Sequence, residues 1–414
     1  MRDLLFLAHR IPYPPEKGEK IRAWHAFLEL ARTHRMHLGC FIDDPVDEAH
    51  VATLAAHCVD LKAIRIDGRR QRVRALLRTR PGQPLSLSYF FDARMAAWVA
   101  GKRAQGIDRA FVYCSAMAPY VMGAAGLYRV LDMVDVDSAK WSDYAKCTSW
   151  PARTAWAREA RTLLAFERRA VVDFDRTLFV SEAECRTFLA LAPWAAERCD
   201  WFDNGVDAAY FAPDPSFASP YSPGGPVVVF TGTMDYRPNV DAVVGFARTV
   251  LPLLQAARPD PRGAAPLRFA IVGANPAPAV RRLAALPGVT VTGRVPDVRP
   301  YLAHAAVAVA PLTIARGIQN KVLEAMAMAR PVVATPQALE GIDAAAGREL
   351  LVSDGATAFA AAVSAVLDGR HPGLGAAARA AILRRYVWSA TLPRLAAAMP
   401  PGGRHEIFSA SIKS

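Results

Sequence analysis

With 414 residues, 52% hydrophobic and 21% charged, the chain is too long for one ordinary core and too apolar for disorder, so two globular domains are expected. A net charge of +12 and an isoelectric point near 9.7 point to an anionic partner, but no aromatic stacking motif or zinc finger speaks for nucleic acid. Six cysteines form no C-x-x-C pair and nine histidines form no H-E-x-x-H, so no metal or redox-dithiol site is expected and a reducing cytosol fits.

Residues 3–8 read as a buried first strand, too short and too flanked by charge for a signal peptide. The following H-R-I-P-Y-P-P-E-K-G-E-K-I-R is kept irregular by Pro12, Pro14, Pro15 and Gly18, and a helix follows through Ile21, Trp24, Phe27 and Leu28. Strand, glycine-containing loop and helix form the phosphate-binding entry of an α/β domain, and Gly18, Lys20 and Arg22 are candidates for a phosphate or acceptor loop. A solvated basic turn is the competing reading. The loop is not G-x-G-x-x-G, so no dinucleotide cofactor is expected.

Alternation continues with strands at 37–43 and 61–67 around a helix at 45–58, the pattern of a parallel doubly wound domain. Residues 62–80 carry eight Lys and Arg against Asp67 alone, with Val73, Leu76 and Leu77 among them and five apolar or aromatic residues up to Phe91. Residues 62–91 therefore suit an anionic membrane surface, or are a solvated helix face. The uncharged run 110–128 contains Pro119, Gly123 and Gly126 and reads as strand, turn and short helix, not a membrane span. A strand from 129 ends among acids. Asp135 and Asp137 are candidates to meet an acceptor hydroxyl, with a helix cap at Asp137 or Ser138 as the alternative. Two helices over 138–171, a strand at 176–180 and a capping box at Ser181–Glu184 complete the domain.

Asn204-Gly205 marks a turn, and residues 206–226 a linker, Pro/Ser/Gly-rich from Pro213 to Pro226. A second α/β domain opens with a strand from 227 into Gly232, followed by strands at 269–273, 289–293 and 307–311. Arg316, Gly317, Asn320 and Lys321 then lead into an apolar helix, 322–328, containing Glu324; Pro331 stops it before a strand at 332–334. Lys321 and Glu324 share a helix face near its N-terminus, where free N–H groups favour anions. Diphosphate on Lys321 and ribose on Glu324 is one reading; an ordinary salt bridge on a packing helix is the other. A strand at 350–352 and helices over 356–386 follow.

The segment G-I-Q-N-K-V-L-E-A-M-A-x-x-x-P-V-V resembles the donor-binding segment of the retaining glycosyltransferases with the GT-B fold (family four), usually E-G-F-G-L-P-x-x-E-A-M-A-x-G-x-P-V. The second Glu falls on Glu324 and the first on Arg316, a charge reversal; Arg330 stands just before Pro331, where a small residue or Gly is usual. P-Y-P-P-x-x-G-x-K-x-R resembles the opening of an exopolysaccharide branch of these enzymes. With D-M-V-D-V-D-S-x-K-W it is most similar to the PEP-CTERM/exosortase system-associated sugar transferases.

The resemblance implies an α/β fold of two Rossmann-like doubly wound domains facing across a cleft. It implies domains at 1–205 (acceptor side) and 227–386 (donor side), a helix at 387–400 packing back on the first domain, and a tail at 401–414. It implies a hexosyltransferase, retaining and metal-independent, with a nucleotide-sugar donor and a saccharide or lipid-linked acceptor, in the cytoplasm or peripheral at the inner membrane face. The family's usual basic pair after the first strand of the donor domain is missing: G-T-M-D-Y-R-P-N offers Arg237 near Gly232. Arg316 and Lys321 are expected to take over the phosphate charge, or Arg316 an acidic donor sugar. Arg294 and Val295 lie in the loop whose backbone reads the base. Competing functions are a nucleotide-sugar 2-epimerase on the same fold and a non-catalytic membrane-associated scaffold.

Overall fold

The computed structural model describes residues 1–16, 18–258, 267–315 and 317–400. Arg316 and the expected tail at 401–414 lie outside the described residues. The chain divides into two compact units: unit 1 holds residues up to Asp203 and those from Leu392 onward, and unit 2 holds Asn204–Thr391.

Unit 1 is built on a seven-stranded parallel sheet. Its strands are β1 (Arg2–Ala8), β2 (His34–Ile42), β3 (Asp60–Arg65), β4 (Arg109–Tyr113), β5 (Tyr128–Val134), β6 (Arg176–Phe179) and β7 (Cys199–Trp201), in spatial order 3-2-1-4-5-6-7. Unit 2 repeats the pattern with six strands: β8 (Val227–Thr231), β9 (Arg268–Val272), β10 (Val289–Val291), β11 (Val307–Ala310), β12 (Val332–Ala334) and β13 (Leu351–Val352), in order 10-9-8-11-12-13. Both are doubly wound sheets whose order reverses beside the first strand, and such sheets bind ligands beyond their carboxyl ends at that reversal. The central strands are nearly continuous apolar runs, as burial on both faces demands; Leu4–Ala8 and Val228–Phe230 are completely buried.

Helices that matter for the sites are α1 (Gly18–Ala31), α2 (Gly68–Arg78), α3 (Asp137–Lys146), α4 (Ala152–Asp173), α5 (Glu182–Leu191), α6 (Arg237–Gly245), α7 (Asn320–Ala327), α8 (Leu374–Arg385) and α9 (Trp388–Ala398). α7 is made of strong helix formers and buries Val322, Leu323, Ala325, Met326 and Ala327, leaving Lys321 and Glu324 partly accessible. Burying Leu323 and Met326 stabilises by about 1.5–3 kcal/mol each. The helix ends because Ala329 turns left-handed at φ +53 and Pro331 cannot continue it. The small residue needed for this exit is thus Ala329, one place before the Arg330 singled out from the sequence. Arg330 instead donates to the carbonyls of Ala303 and Met328 (3.0 and 3.3 Å). Gly375 on α8 lies so close that a Cβ there would come within 2.0 Å of the Ala329 oxygen.

In secondary structure the sequence expectations need three corrections in unit 1. The stretch 45–58 is a 3-10 turn (Pro45–His50) and a short helix (Val51–Ala55), not one helix. β7 was not anticipated. Neither Asp137 nor Ser138 caps α3: Val136 holds that position, and Ser138 instead gives its N–H to Glu167 (3.0 Å).

Candidate functional site

In unit 2 the loops beyond β8, β9 and β10 are tied backbone to backbone. Gly232 N–H donates to Val272 O (3.0 Å), Met234 N–H to Ala274 O (2.8 Å) and Gly273 N–H to Gly293 O (3.2 Å). Gly232 (φ +149) and Gly273 (φ +151) hold backbone conformations that side chains resist. A Cβ on Gly273 would stand 1.7 Å from Gly232 O, and one on Gly232 would stand 2.9 Å from Asn239 Nδ2 and 3.2 Å from Lys321 Cε. The glycines thus make room for one polar arrangement. Lys321 Nζ, in the first turn of α7, donates to Asn239 Oδ1 at 2.8 Å and stands 5.1 Å from the centre of the Phe230 ring. Asn239, on α6, is held in turn by donating to Thr233 O at 2.9 Å.

Lys321 and Glu324 form no ion pair, and Glu324 makes no side-chain hydrogen bond among the described residues, which removes the reading of an ordinary salt bridge. Burial pulls the Lys321 ammonium down to about 8, opposed by Glu324, and pushes the Glu324 carboxyl up to about 7, opposed by Lys321. A desolvated acid without a partner is costly unless a ligand supplies donors. Asn320 Oδ1 accepts from Asn204 Nδ2 at 3.2 Å, and Gly317 turns left-handed at φ +61 with Gly341 packed against its carbonyl.

The remaining sequence candidates of unit 2 lie farther out. Arg237, at the start of α6, is exposed and pairs with Asp241 at 3.6 Å along the same helix. Arg294 is exposed, while Val295 packs half-buried on the core, both in the loop after Gly293. The residue beyond β8 that meets Lys321 is not basic but the amide Asn239, on α6. Its only sequence signal is a polar side chain two places into the helix after Tyr236-Arg237.

In unit 1 the expected basic phosphate loop is corrected. Gly18 opens α1 and is exposed, but Lys20 is buried against Asp47 (2.7 Å). Arg22 is wholly buried: Nε and Nη2 bond both oxygens of Asp132 (2.8 and 3.0 Å), Nη1 and Nη2 donate to Phe202 O and Phe179 O, and the guanidinium lies 3.4 Å from the Phe202 ring centre. Both charges are spent inside the fold, so neither reaches a ligand.

The acids beyond β5 do gather. Val134 and Cys114, at the ends of neighbouring strands, both hold positive φ (+67 and +78), and a β-branched residue there is under real strain. Asp135 follows, its carboxyl raised to about 7 by burial and then by the charge of Glu184. Glu184 accepts from Val136 N–H (2.8 Å), and its own N–H donates to Ser181 Oγ (3.2 Å), the Ser181 half of the expected capping box. Asp137 pairs with Lys140 at 3.0 Å, and Glu167, under Ser138, is raised to about 7 by burial. His9, just past β1, stacks on Tyr113 with its Nδ1 unpartnered, and burial pulls its pKa down to about 4, so the ring is neutral. His9, Glu167 and Glu184 were not anticipated as members of this cluster; their partners are distant in sequence. Among the described residues no three His, Cys, Asp or Glu side chains are arranged to hold a metal ion, and no helix is long and apolar enough to cross a membrane.

The glycine cradle is testable. Gly232→Ala is expected to cost about 1–3 kcal/mol of stability and to displace Asn239 and Lys321 together. Thermal melting and nucleotide titration measure both; a variant that binds nucleotide normally would remove the cradle from the site.

Residues 225–369, within unit 2, match the family model described as "Glycosyl transferases group 1". No curated protein sequence matches the chain. Among solved structures it is similar to sucrose-phosphate synthase (tll1590) from Thermosynechococcus elongatus, with 17% identity, TM-score 0.70, and 99% of this chain and 100% of that one covered. It is also similar to Anabaena HepE in complex with UDP and glucose (16%, 0.65, 96% and 99%). A third likeness is to WaaG, a glycosyltransferase involved in lipopolysaccharide biosynthesis (16%, 0.63, 97% and 100%). At such identities the likeness is one of fold, and the fold is GT-B.

Proposed function

We propose that this protein is a retaining, metal-independent hexosyltransferase. It moves a sugar from a nucleotide donor on unit 2 to a saccharide or lipid-linked saccharide in exopolysaccharide synthesis, of the PEP-CTERM-associated kind. The observation that carries the reading is the Asn239–Lys321 hydrogen bond beside Glu324, whose carboxylate has no side-chain hydrogen bond among the described residues, within the matched segment. Lys321 and the first-turn amides of α7 meet the donor diphosphate, and Glu324 accepts the ribose hydroxyls. As the glycosidic bond breaks, negative charge grows on the leaving diphosphate, and preorganised donors stabilise it most at that moment. In the proposed front-face reaction the diphosphate takes the acceptor proton. Asp135 and Asp137 orient the acceptor, and Arg316 adds a positive charge to the donor loop. On unit 1, α2 has Val73, Leu76 and Leu77 exposed among arginines, which supports peripheral binding to an anionic membrane at the cytoplasmic face.

The test is a thermal-shift panel of UDP, GDP, ADP, TDP and CMP, with EDTA present. UDP comes first, because it is the nucleotide named in the HepE structure. A nucleotide at a hundred times its Kd adds about 2.7 kcal/mol of apparent stability. Glu324→Gln is expected to weaken the hit about tenfold or more by removing charged acceptors. No shift with any nucleotide would favour the scaffold. The near-neutral acids Asp135 and Glu167 also suit a nucleotide-sugar 2-epimerase, which release of a free epimerised sugar without acceptor would establish.

A further inference from the structure

Unit 1 has a cavity of about 370 Å³ that the donor chemistry does not use. It opens at the carboxyl ends of β2 and β3 and against the first turn of α2, lined among others by Ile42, Asp43, Arg65, Asp67, Arg69 and Arg72. Its volume lies in the range of small-molecule sites, about 300–1,000 Å³.

The carboxylates in this wall are already committed. Asp43 receives Arg10 Nε at 2.6 Å, and Asp67 accepts the N–H groups of Arg69 and Arg70 at 2.9 Å each. Among the cations, Arg65 is loosely paired with Glu48 at 3.2 Å on the surface, and Arg69 and Arg72 make no ion pair among the described residues. The uncommitted charge of the cavity is therefore positive, in two guanidiniums three residues apart on one helix face. The same helix then presents Val73, Leu76 and Leu77, which are 58%, 67% and 81% exposed, and it contains no acid. Positions 69, 73, 76 and 77 follow one another along a single stripe of α2. A cationic cavity running into an exposed apolar stripe matches an anionic head on a hydrocarbon tail.

We propose that this cavity binds the phosphate or diphosphate group of a lipid-anchored acceptor, with Arg69 and Arg72 on the phosphate oxygens and the first part of the lipid along Val73, Leu76 and Leu77. Planar guanidiniums take phosphate oxygens in pairs, which gives this role to arginine rather than lysine. The proposal deepens the glycosyltransferase reading and rests on its lipid-linked acceptor. It adds an anion site separate from the donor diphosphate on unit 2.

Farnesyl diphosphate, inorganic pyrophosphate and farnesol serve as probes. They are titrated into the full-length protein carrying Lys321→Ala, so that the donor site does not compete. Farnesyl diphosphate is expected to bind about tenfold more tightly than pyrophosphate. Arg69→Gln with Arg72→Gln should weaken it about tenfold or more. Leu76→Ser with Leu77→Ser should bring it down to the level of pyrophosphate. All four side chains are exposed, so circular dichroism and melting should be unchanged. Farnesol binding as tightly as farnesyl diphosphate, or arginine variants binding as the parent does, would overturn the proposal. So would arginine-dependent binding to phosphatidylglycerol vesicles with no affinity for farnesyl diphosphate, which would leave a membrane patch only. The nucleotide panel, run on the protein with Lys321, Arg69 and Arg72 intact, separates the two readings. Nucleotide shifts without prenyl diphosphate binding overturn the cavity alone. Arginine-dependent prenyl diphosphate binding in a protein that takes no nucleotide keeps the cavity and overturns the transferase.

Discussion

Lys321→Ala is expected to lower kcat/KM for sugar transfer by about 10²–10³, the loss typical of one preorganised donor to a developing oxyanion. The effect should be large because Lys321 is fixed before the donor arrives: Asn239 holds it at 2.8 Å, and Gly232 leaves the room it occupies. Its pH dependence is equally specific. Only the protonated amine stabilises diphosphate, so kcat/KM should fall as pH rises through about 8. Only the ionised Glu324 accepts both ribose hydroxyls, so it should also fall as pH drops through about 7. The profile is a narrow bell. A bound diphosphate raises the Lys321 pKa, so the alkaline limb of kcat should lie higher than that of kcat/KM. Lys321→Arg should abolish that limb, since arginine stays charged. Steady-state kinetics from pH 6 to about 9.5 decide it. An unchanged alkaline limb in the arginine variant would assign the titration to another group.

The second large effect is on folding. Arg22→Met should cost about 3–5 kcal/mol, because it leaves Asp132 charged in the core without its counter-ion. The cost arises from a buried charge, not from lost packing alone, and the sign with pH tests this. Burial already raises the Asp132 pKa against the pull of Arg22, and without Arg22 it must rise further. Between the ordinary aspartate pKa and this raised folded-state value the folded variant binds more protons than the unfolded chain. Its stability therefore falls as pH rises and is partly restored as pH drops through that window. Arg22→Met with Asp132→Leu should recover most of the loss at neutral pH. Urea unfolding at several pH values measures all three; a single variant with no such pH trend would make the pair a packing element only.

The α/β class was readable because most of the central parallel strands are short apolar runs set off by turns that carry Gly or Pro. Thus 332–334 was placed exactly as the structure has it, while Cys199–Trp201, three residues with an acid in the middle, gave no such signal. Lys20 and Arg22 were misjudged for a different reason. The four turn-formers upstream say nothing about Asp47 and Asp132, which lie 27 and 110 positions away and neutralise them. Lys321 and Glu324 could be seen because both lie on one eight-residue helix. Asn239 could not, since its meaning is a contact across 82 positions. Local pattern shows a helix face; it does not show which polar groups are already spent.

The division of the chain has a consequence for synthesis. Unit 1 is not contiguous: after Asp203 the chain builds all of unit 2 before returning at Leu392. The returning segment completes the first sheet's surroundings. Tyr128 Oη donates to Ala398 O (3.0 Å), Arg109 donates to Pro400 O, and Arg394 lies 4.0 Å over the Trp201 ring. Domains of a nascent chain generally fold as they emerge, the N-terminal one first. Here the N-terminal unit must wait, with β4, β5 and β7 lacking these contacts, until residues 392–400 have left the ribosome. The first half to be translated is thus the last to be finished, and a ribosome stalled anywhere in unit 2 would hold a complete set of strands that has not yet received its closing piece.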